Sequence, residues 1–275
     1  MLGRGESGIK ARAGSPRLFI ASNSANRKPE RPSAMRLFPD LRERNRRPER
    51  MDQPGLDPAE HRRALVALRR INGVSGGVRP VWPWIRGVLA ERREANDPRP
   101  VRLLDLASGG GDFAIRLARR ARREGWDLQI AGRDRSAFAV AYATEQARRA
   151  GLAIDFHQGD VLNEPLPPGF DILTCSLFLH HLDEPEAVAL LSAMRAAGEM
   201  AIIDDLERTR LGWALAFAGV RALSRSPVAR YDGAVSVQGA YTRDEARALA
   251  LKAGWERPEI HPRWPCRYLL VERRP

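Results

Sequence analysis

The chain has 275 residues, 43% of them apolar, enough for one large or two small domains around a sizeable core. Its net charge of +12 is uneven: residues 1–54 hold 13 Lys/Arg against 6 Asp/Glu, so the remainder is only mildly basic, which disfavours nucleic acid as a partner. No apolar run approaches the roughly 18 residues of a membrane span. Cys175 and Cys266 form neither a disulfide framework nor a metal motif and read as buried thiols of a cytoplasmic protein.

Residues 1–54 are rich in Arg, Pro, Ser, Gly and Asn and lack periodicity. They read as a disordered basic tail or as an upstream extension, with Met35 or Met51 as the start. A basic arm or an organelle transit peptide would share the composition. The apolar piece Leu18–Ala21 is too short for a secretory signal. Over 55–100, Asp57-Pro58-Ala59-Glu60 opens a helix that runs to about residue 71. Ser75-Gly76-Gly77 is a loop, and a second helix covers 81–95 with Trp82 and Trp84. Two helices ahead of an α/β array are expected to cap its cleft.

From residue 101 the pattern alternates. A strand over 101–106 leads through Ala107-Ser108-Gly109-Gly110-Gly111 into a helix over 112–124. A strand at 128–133, a helix from Ser136 to about 150, and strands at 153–157 and 170–176 follow. Asp183 opens another helix, and 200–206 is the fifth strand. Residues 207–226 read as an amphipathic helix and 227–240 as a loop, together a 207–240 insert on the substrate side. Thr242–Glu245 opens the last helix, and two runs around Pro262–Cys266 form a hairpin-like ending. The fold class is α/β: a doubly wound, seven-stranded, mostly parallel sheet with an antiparallel last strand.

Four pieces of 57–275 resemble the class I S-adenosylmethionine-dependent methyltransferases, in particular the small-molecule ubiquinone/menaquinone-biosynthesis branch. They are Leu103–Gly111, the acid Asp134 ending the second strand, Gly159-Asp160-Val161 after the third, and Phe170-Asp171-Ile172 through Leu179-His180-His181-Leu182. The family's first glycine is Ala107 here, which takes positive φ less readily and predicts a slightly re-shaped turn. The resemblance implies a Rossmann-like methyltransferase domain over 101–275 with S-adenosyl-L-methionine as cofactor. Its candidate cofactor-binding residues are Asp105, Ala107, Gly109, Gly111, Asp134, Asp160, Val161 and Ser176.

The chemistry of the residues agrees. A phosphate cradle wants Lys or Arg in the loop, whereas here the first positive residue is Arg116. Asp105 suits a cationic amine, Asp134 two ribose hydroxyls, Asp160 an adenine amino group with Val161 against the base. The glycine spacing fits a dinucleotide dehydrogenase poorly. Each acid alone is equally a turn or cap residue; their joint placement after three successive strands is what points to a cleft.

Methyl transfer needs positioning more than acid–base groups. Candidate catalytic residues are His181 and His180, with Tyr231, Tyr241 and Asp205 further candidates on the acceptor side. Asp204-Asp205 reads as a solvated helix cap rather than a metal pair, and no metal is assigned. Trp82, Trp84, Trp213, Phe217, Val220 and Tyr231 suit an apolar or aromatic acceptor. Ser176-Leu177-Phe178-Leu179 stands where an Asn-Pro-Pro-Tyr motif would mark amide N-methylation. The expected function is methyl transfer to oxygen or carbon of a small metabolite. The alternatives are an RNA or protein methyltransferase using the basic arm, and a catalytically silent cofactor-binding homologue. Oligomeric state is left open.

Overall fold

The computed structural model describes residues 39–53, 55–75 and 77–274. Strands β1 (Val101–Leu106), β2 (Leu128–Asp134), β3 (Asp155–Gln158), β4 (Ile172–Ser176), β5 (Met200–Leu206), β6 (Glu259–Arg263) and β7 (Arg267–Arg273) form one sheet in the order β3-β2-β1-β4-β5-β7-β6. β1 to β5 are parallel, β7 is antiparallel to β5, and β6 is antiparallel to β7. This is the doubly wound sheet that the alternation predicts.

Among the described residues eight α-helices flank it: α1 (Pro58–Val74), α2 (Trp82–Glu94), α3 (Asp112–Arg123), α4 (Ala137–Arg149), α5 (Glu184–Ala197), α6 (Arg210–Leu223), α7 (Pro227–Gly239) and α8 (Arg243–Lys252). Successive strand residues face opposite sides, so the unbroken apolar runs feed two cores at once. Leu103, Ile172 and Ile202 pack with α2, α3 and α4; Leu104, Leu173 and Ile203 pack with α5 and α8. The predicted caps form: Asp57 accepts from the Ala59 and Glu60 amides, and Asp183/Glu186 and Thr242/Glu245 close capping boxes.

Three expectations change. First, residues 39–53 of the segment read as a disordered tail are packed, while residues 1–38 lie outside the described residues. The Arg44 guanidinium donates to the carbonyls of Gly239 (2.5 Å), His180 (2.8 Å) and Leu182 (2.6 Å), and stacks over the Tyr241 ring. Arg46 donates to the His181 carbonyl, and the Arg50 and Met51 amides donate to Asp232. Second, 227–240 is a helix rather than a loop. Ser226 caps it, Pro227 starts it, and Val228, Ala229, Val235 and Val237 are buried by it. Tertiary burial outweighs the poor helix propensity of Gly233, Ser236 and Gly239. Third, only α1 of the helix pair covers the cleft. α2 lies under the sheet, where Trp82 is buried and donates to Glu124 (3.0 Å), so Trp82 and Trp84 are core residues and not acceptor-side ones.

The turn after β1 puts Ala107 at φ +51°, Gly109 at +51° and Gly111 at +73°. The alanine thus carries a left-handed turn itself, which costs roughly 1 kcal/mol relative to glycine. Space separates these positions as well. A Cβ on Gly111 would stand 2.8 Å from Ala143 and Phe156, whereas nothing lies within 4 Å of one on Gly109. Ala107→Gly is expected to raise the unfolding free energy by about 0.5–1 kcal/mol, and Gly111→Ala to lower it by about 2–4 kcal/mol. Urea denaturation of the two variants checks both signs. Arg44→Ala is expected to remove hydrogen-exchange protection from the Asn45, Arg50 and Met51 amides while β1 to β5 keep theirs. Equal protection in the variant would mean that other contacts hold the segment.

Candidate functional site

β1 is flanked by β2 on one side and β4 on the other, so the connections leave its carboxyl end in opposite directions and open a crevice there. A cavity of about 830 Å³ occupies the crevice. Its floor is the strand ends, one wall is α1, and the roof is formed by α6, α7 and residues 49–53.

Three carboxylates converge on the glycine-rich end. Asp105, 1% exposed, accepts from the Thr174 hydroxyl at 2.9 Å. Burial pushes its carboxyl up to about 8; the Thr174 bond opposes this, and the charges of Asp112 and Asp134 add to it. Asp134 accepts from the Gly109 amide (2.8 Å) and the Ser136 amide (2.9 Å), clamping the loop to the end of β2. Burial raises Asp134 too, against those two amides. Asp112 bonds Asn72 of α1 at 3.3 Å and is also raised by burial. None of these partners is charged. The Ser108 hydroxyl is buried beside them without a hydrogen-bond partner among the described residues.

Asp160 accepts from the Leu162 amide and the Asn163 side chain, both at 2.9 Å, and these bonds hold its carboxyl below the usual range. Both oxygens therefore shape its own turn, while Val161 is buried beside it. Ser176 ends β4 at the cavity, and Leu177 follows at φ +56°. All eight candidate cofactor residues except Gly111 line the cavity; Gly111 turns toward Ala143 and Phe156 behind the loop.

At the other end a short 3-10 turn, Leu179–His181, brings both histidines to the cavity. His180 is buried, its Nδ1 2.6 Å from Asp205 and its Nε2 3.4 Å from Glu49. Burial alone would lower the imidazole; Asp205 and Glu49 outweigh it and push it up to about 10. His181 has Nδ1 2.9 Å from Asp52 and Nε2 3.7 Å from the same Glu49 oxygen. Burial would raise Glu49 and Asp52, but the histidines hold both below the usual carboxylate range. Glu49 also accepts from Ser236 of α7.

Several sequence expectations do not reach the site. Asp204 and Asp205 are not a solvated cap. They alternate across β5, so Asp204 is buried against Arg263 and Arg267 (2.8 Å to the latter), while Asp205 faces His180. Two carboxylates on opposite faces cannot hold one ion. Tyr241 donates to the Leu182 carbonyl and Tyr231 stacks under Arg50; neither lines the cavity. Trp213 stacks on Phe217 away from it, leaving Val220 as the aromatic set's one neighbour that lines it. Cys266 is only half-buried. Sequence reasoning missed Glu49, Asp52, Thr174, Asp232 and Ser236. The Ser226-Pro227 start of α7 was a legible signal for the last two; Glu49 and Asp52 sit in a stretch with no periodicity to find.

Residues 103–198 match the family described as a methyltransferase domain. Over 108 residues the chain is 37% identical to a demethylmenaquinone methyltransferase of Deinococcus radiodurans, covering 38% of this chain and 42% of that protein. It is 29% identical over 127 residues to a ubiquinone biosynthesis O-methyltransferase of Sodalis glossinidius, covering 45% and 48%. The chain thus spans less than half the length of these relatives. The structure of the S-adenosylmethionine-dependent methyltransferase SibL in its apo form superposes with a TM-score of 0.50 at 19% identity, covering 82% of this chain and 72% of that one. No helix among the described residues is long and apolar enough to cross a membrane. Residues 103–198, which hold the glycine-rich turn and the strand-end acids, thus match a methyltransferase domain, and the matched segment is similar to methyltransferases of quinone biosynthesis.

Proposed function

We propose that the chain transfers a methyl group from S-adenosylmethionine to an oxygen or carbon of a small apolar or aromatic acceptor. The observation that carries this is the convergence of Asp105, Asp112 and Asp134 on a loop with no bonded cation. Such a pocket repels phosphate and suits a sulfonium ligand with an ammonium head. Asp105 and the Ser108 hydroxyl would meet the amino-acid head. Asp134 would take the ribose, Val161 and Asp160 the base, and Ser176 would border the methyl-bearing end. Ala107 and Gly109 present backbone rather than bulk, while Gly111 sets the turn. The bound cofactor supplies an electrophilic methyl group; the protein holds the acceptor in line with it and excludes water.

The acceptor end is bordered by apolar side chains, Leu215 and Val220 of α6 and Val237 of α7. That suits a ring or chain without charge, and the quinone-related names of the relatives support it. The polar cluster of Glu49, His180 and His181 at its edge is where an ionisable oxygen of the acceptor would be met. His180 is locked by Asp205 and Glu49 and acts as a positioning residue; His181 is the freer of the two. An RNA or protein acceptor recruited by the basic arm draws no support from residues 39–53, because Arg44 and Arg46 are committed to backbone carbonyls. The unpaired thiols of Cys175 and Cys266 fit a cytoplasmic setting.

Calorimetry with S-adenosylmethionine, followed by assays of S-adenosylhomocysteine release over naphthoquinols, phenols and other apolar metabolites, tests the proposal. Saturable cofactor binding and turnover with at least one such acceptor are expected, with Asp134→Ala weakening cofactor binding about tenfold or more. Absence of cofactor binding at millimolar ligand would sink it, and binding without turnover on any acceptor would leave a silent homologue. Binding should also be linked to pH through Asp105. A carboxyl raised to about 8 is neutral at pH 7 and must lose its proton to pair with a cation. Cofactor affinity is therefore expected to rise as pH increases from 6 to 8, by up to about tenfold per unit. Proton release, read from binding enthalpies in two buffers, should accompany it, and Asp105→Asn should flatten the dependence.

A further inference from the structure

We propose that Glu49, His180 and His181 hold a divalent transition-metal ion at the acceptor end of the cavity, with Asp205 and Asp52 orienting the two imidazoles from behind. One ligand atom from each of the three residues lies within 4.8 Å of the other two. The Nε2 atoms of His180 and His181 are 3.4 and 3.7 Å from one oxygen of Glu49. Those separations are long for hydrogen bonds. Two atoms that each sit about 2.1 Å from a shared ion stand about 3.0–3.7 Å apart for angles of about 90–125°, a range that holds both separations.

The arrangement behind the ligands is equally specific. Each Nδ1 faces a carboxylate, Asp205 at 2.6 Å and Asp52 at 2.9 Å. An ion entering between the rings and Glu49 would displace a proton held at Nε2, while the carboxylate behind each ring would keep the proton at Nδ1, the pairing found behind metal-bound histidines. Three acidic side chains around two imidazoles favour a dication, against the charges of Arg135, 3.8 Å from Asp52, and of Arg44 and Arg267, which act on Asp205. Two imidazoles and a carboxylate suit zinc, cobalt, manganese or iron(II). Three protein ligands leave positions open, and Glu49, His180, His181 and Asp52 all line the cavity.

Ion binding rests on this geometry alone; its role rests on the methyltransferase reading. An acceptor hydroxyl at an open position would ionise more readily, its proton passing to water. Carbon–oxygen bond formation then accompanies carbon–sulfur cleavage, the electron pair returning to sulfur.

The test uses the full chain, stripped with chelator and titrated with Co²⁺ and Zn²⁺, with metal counted by mass spectrometry and Co²⁺ followed by its visible absorption. About one equivalent is expected. Glu49→Ala and His181→Ala should weaken it at least about 100-fold, and Asp52→Asn, which leaves the ligands in place, about 10- to 100-fold. Circular dichroism and retained S-adenosylmethionine binding show that each variant is folded. Asp134→Ala should keep the metal and bind the cofactor about tenfold or more weaker, which separates the two readings. No saturable uptake by the native chain, or unchanged affinity in folded Glu49→Ala and His181→Ala, overturns the site. Full methyl transfer by metal-stripped protein overturns its role and leaves the methyltransferase reading standing.

Discussion

The reversal of winding at β1 is the constraint on which everything else depends. Because β2 and β4 lie on opposite sides of β1, the loops at its carboxyl end must part, and side chains at the ends of four strands point into the gap. Asp105, Asp134 and Ser176 belong to three different strands; the parallel register pairs Asp105 with Gly132 and Thr174, two residues short of the other two, and all three line the gap. The clamp from Asp134 to the Gly109 amide then ties the glycine-rich loop to the neighbouring strand. Carboxyl groups gather there as a result of topology, not of any one local motif.

A second consequence of the sheet is the separation of two buried charge systems. β5 sends Asp204 to one face and Asp205 to the other. On one face Asp204 is met by Arg263 and Arg267 from the hairpin, and Arg263 reaches on to the Ser75 and Gly77 carbonyls beyond α1. On the other, Asp205 and His180 form the buried base of the histidine cluster. A buried ion pair is costly to break, because the remaining partner is stranded in low dielectric. Neighbouring residues of one strand therefore anchor opposite sides of the site: one holds the helix that walls the cofactor end, the other the turn that carries the histidines.

The sheet and most helices were legible because their signals are local. Apolar runs such as Leu103–Leu106, capping acids such as Asp57 and Asp183, and the glycines after β1 state their own geometry. The strand-end acids were legible for the same reason, since each follows its strand directly. What escaped depends on contacts between distant segments. Glu49 and Asp52 lie in a basic, proline-containing stretch whose order comes from arginines docking on carbonyls far along the chain. α7 carries Gly233 within it and ends on Gly239, so past its Ser226-Pro227 start only burial reveals it as a helix. The placement of Trp82 and Trp84 was misjudged because composition cannot distinguish an aromatic under a sheet from one over a cleft.

The attachment of residues 41–46 is chemically one-sided. Arg44, Arg46 and the Asn45 amide all donate to main-chain carbonyls, and the Leu41 carbonyl accepts from Arg208. A carbonyl is present whatever side chain its residue bears. Substitutions at His180, Leu182, Gln238 or Gly239 that preserve the backbone path would leave the docking surface intact, whereas a change at Arg44 removes three bonds together. Mutational sensitivity of these backbone contacts is therefore concentrated in the segment that reads as least structured.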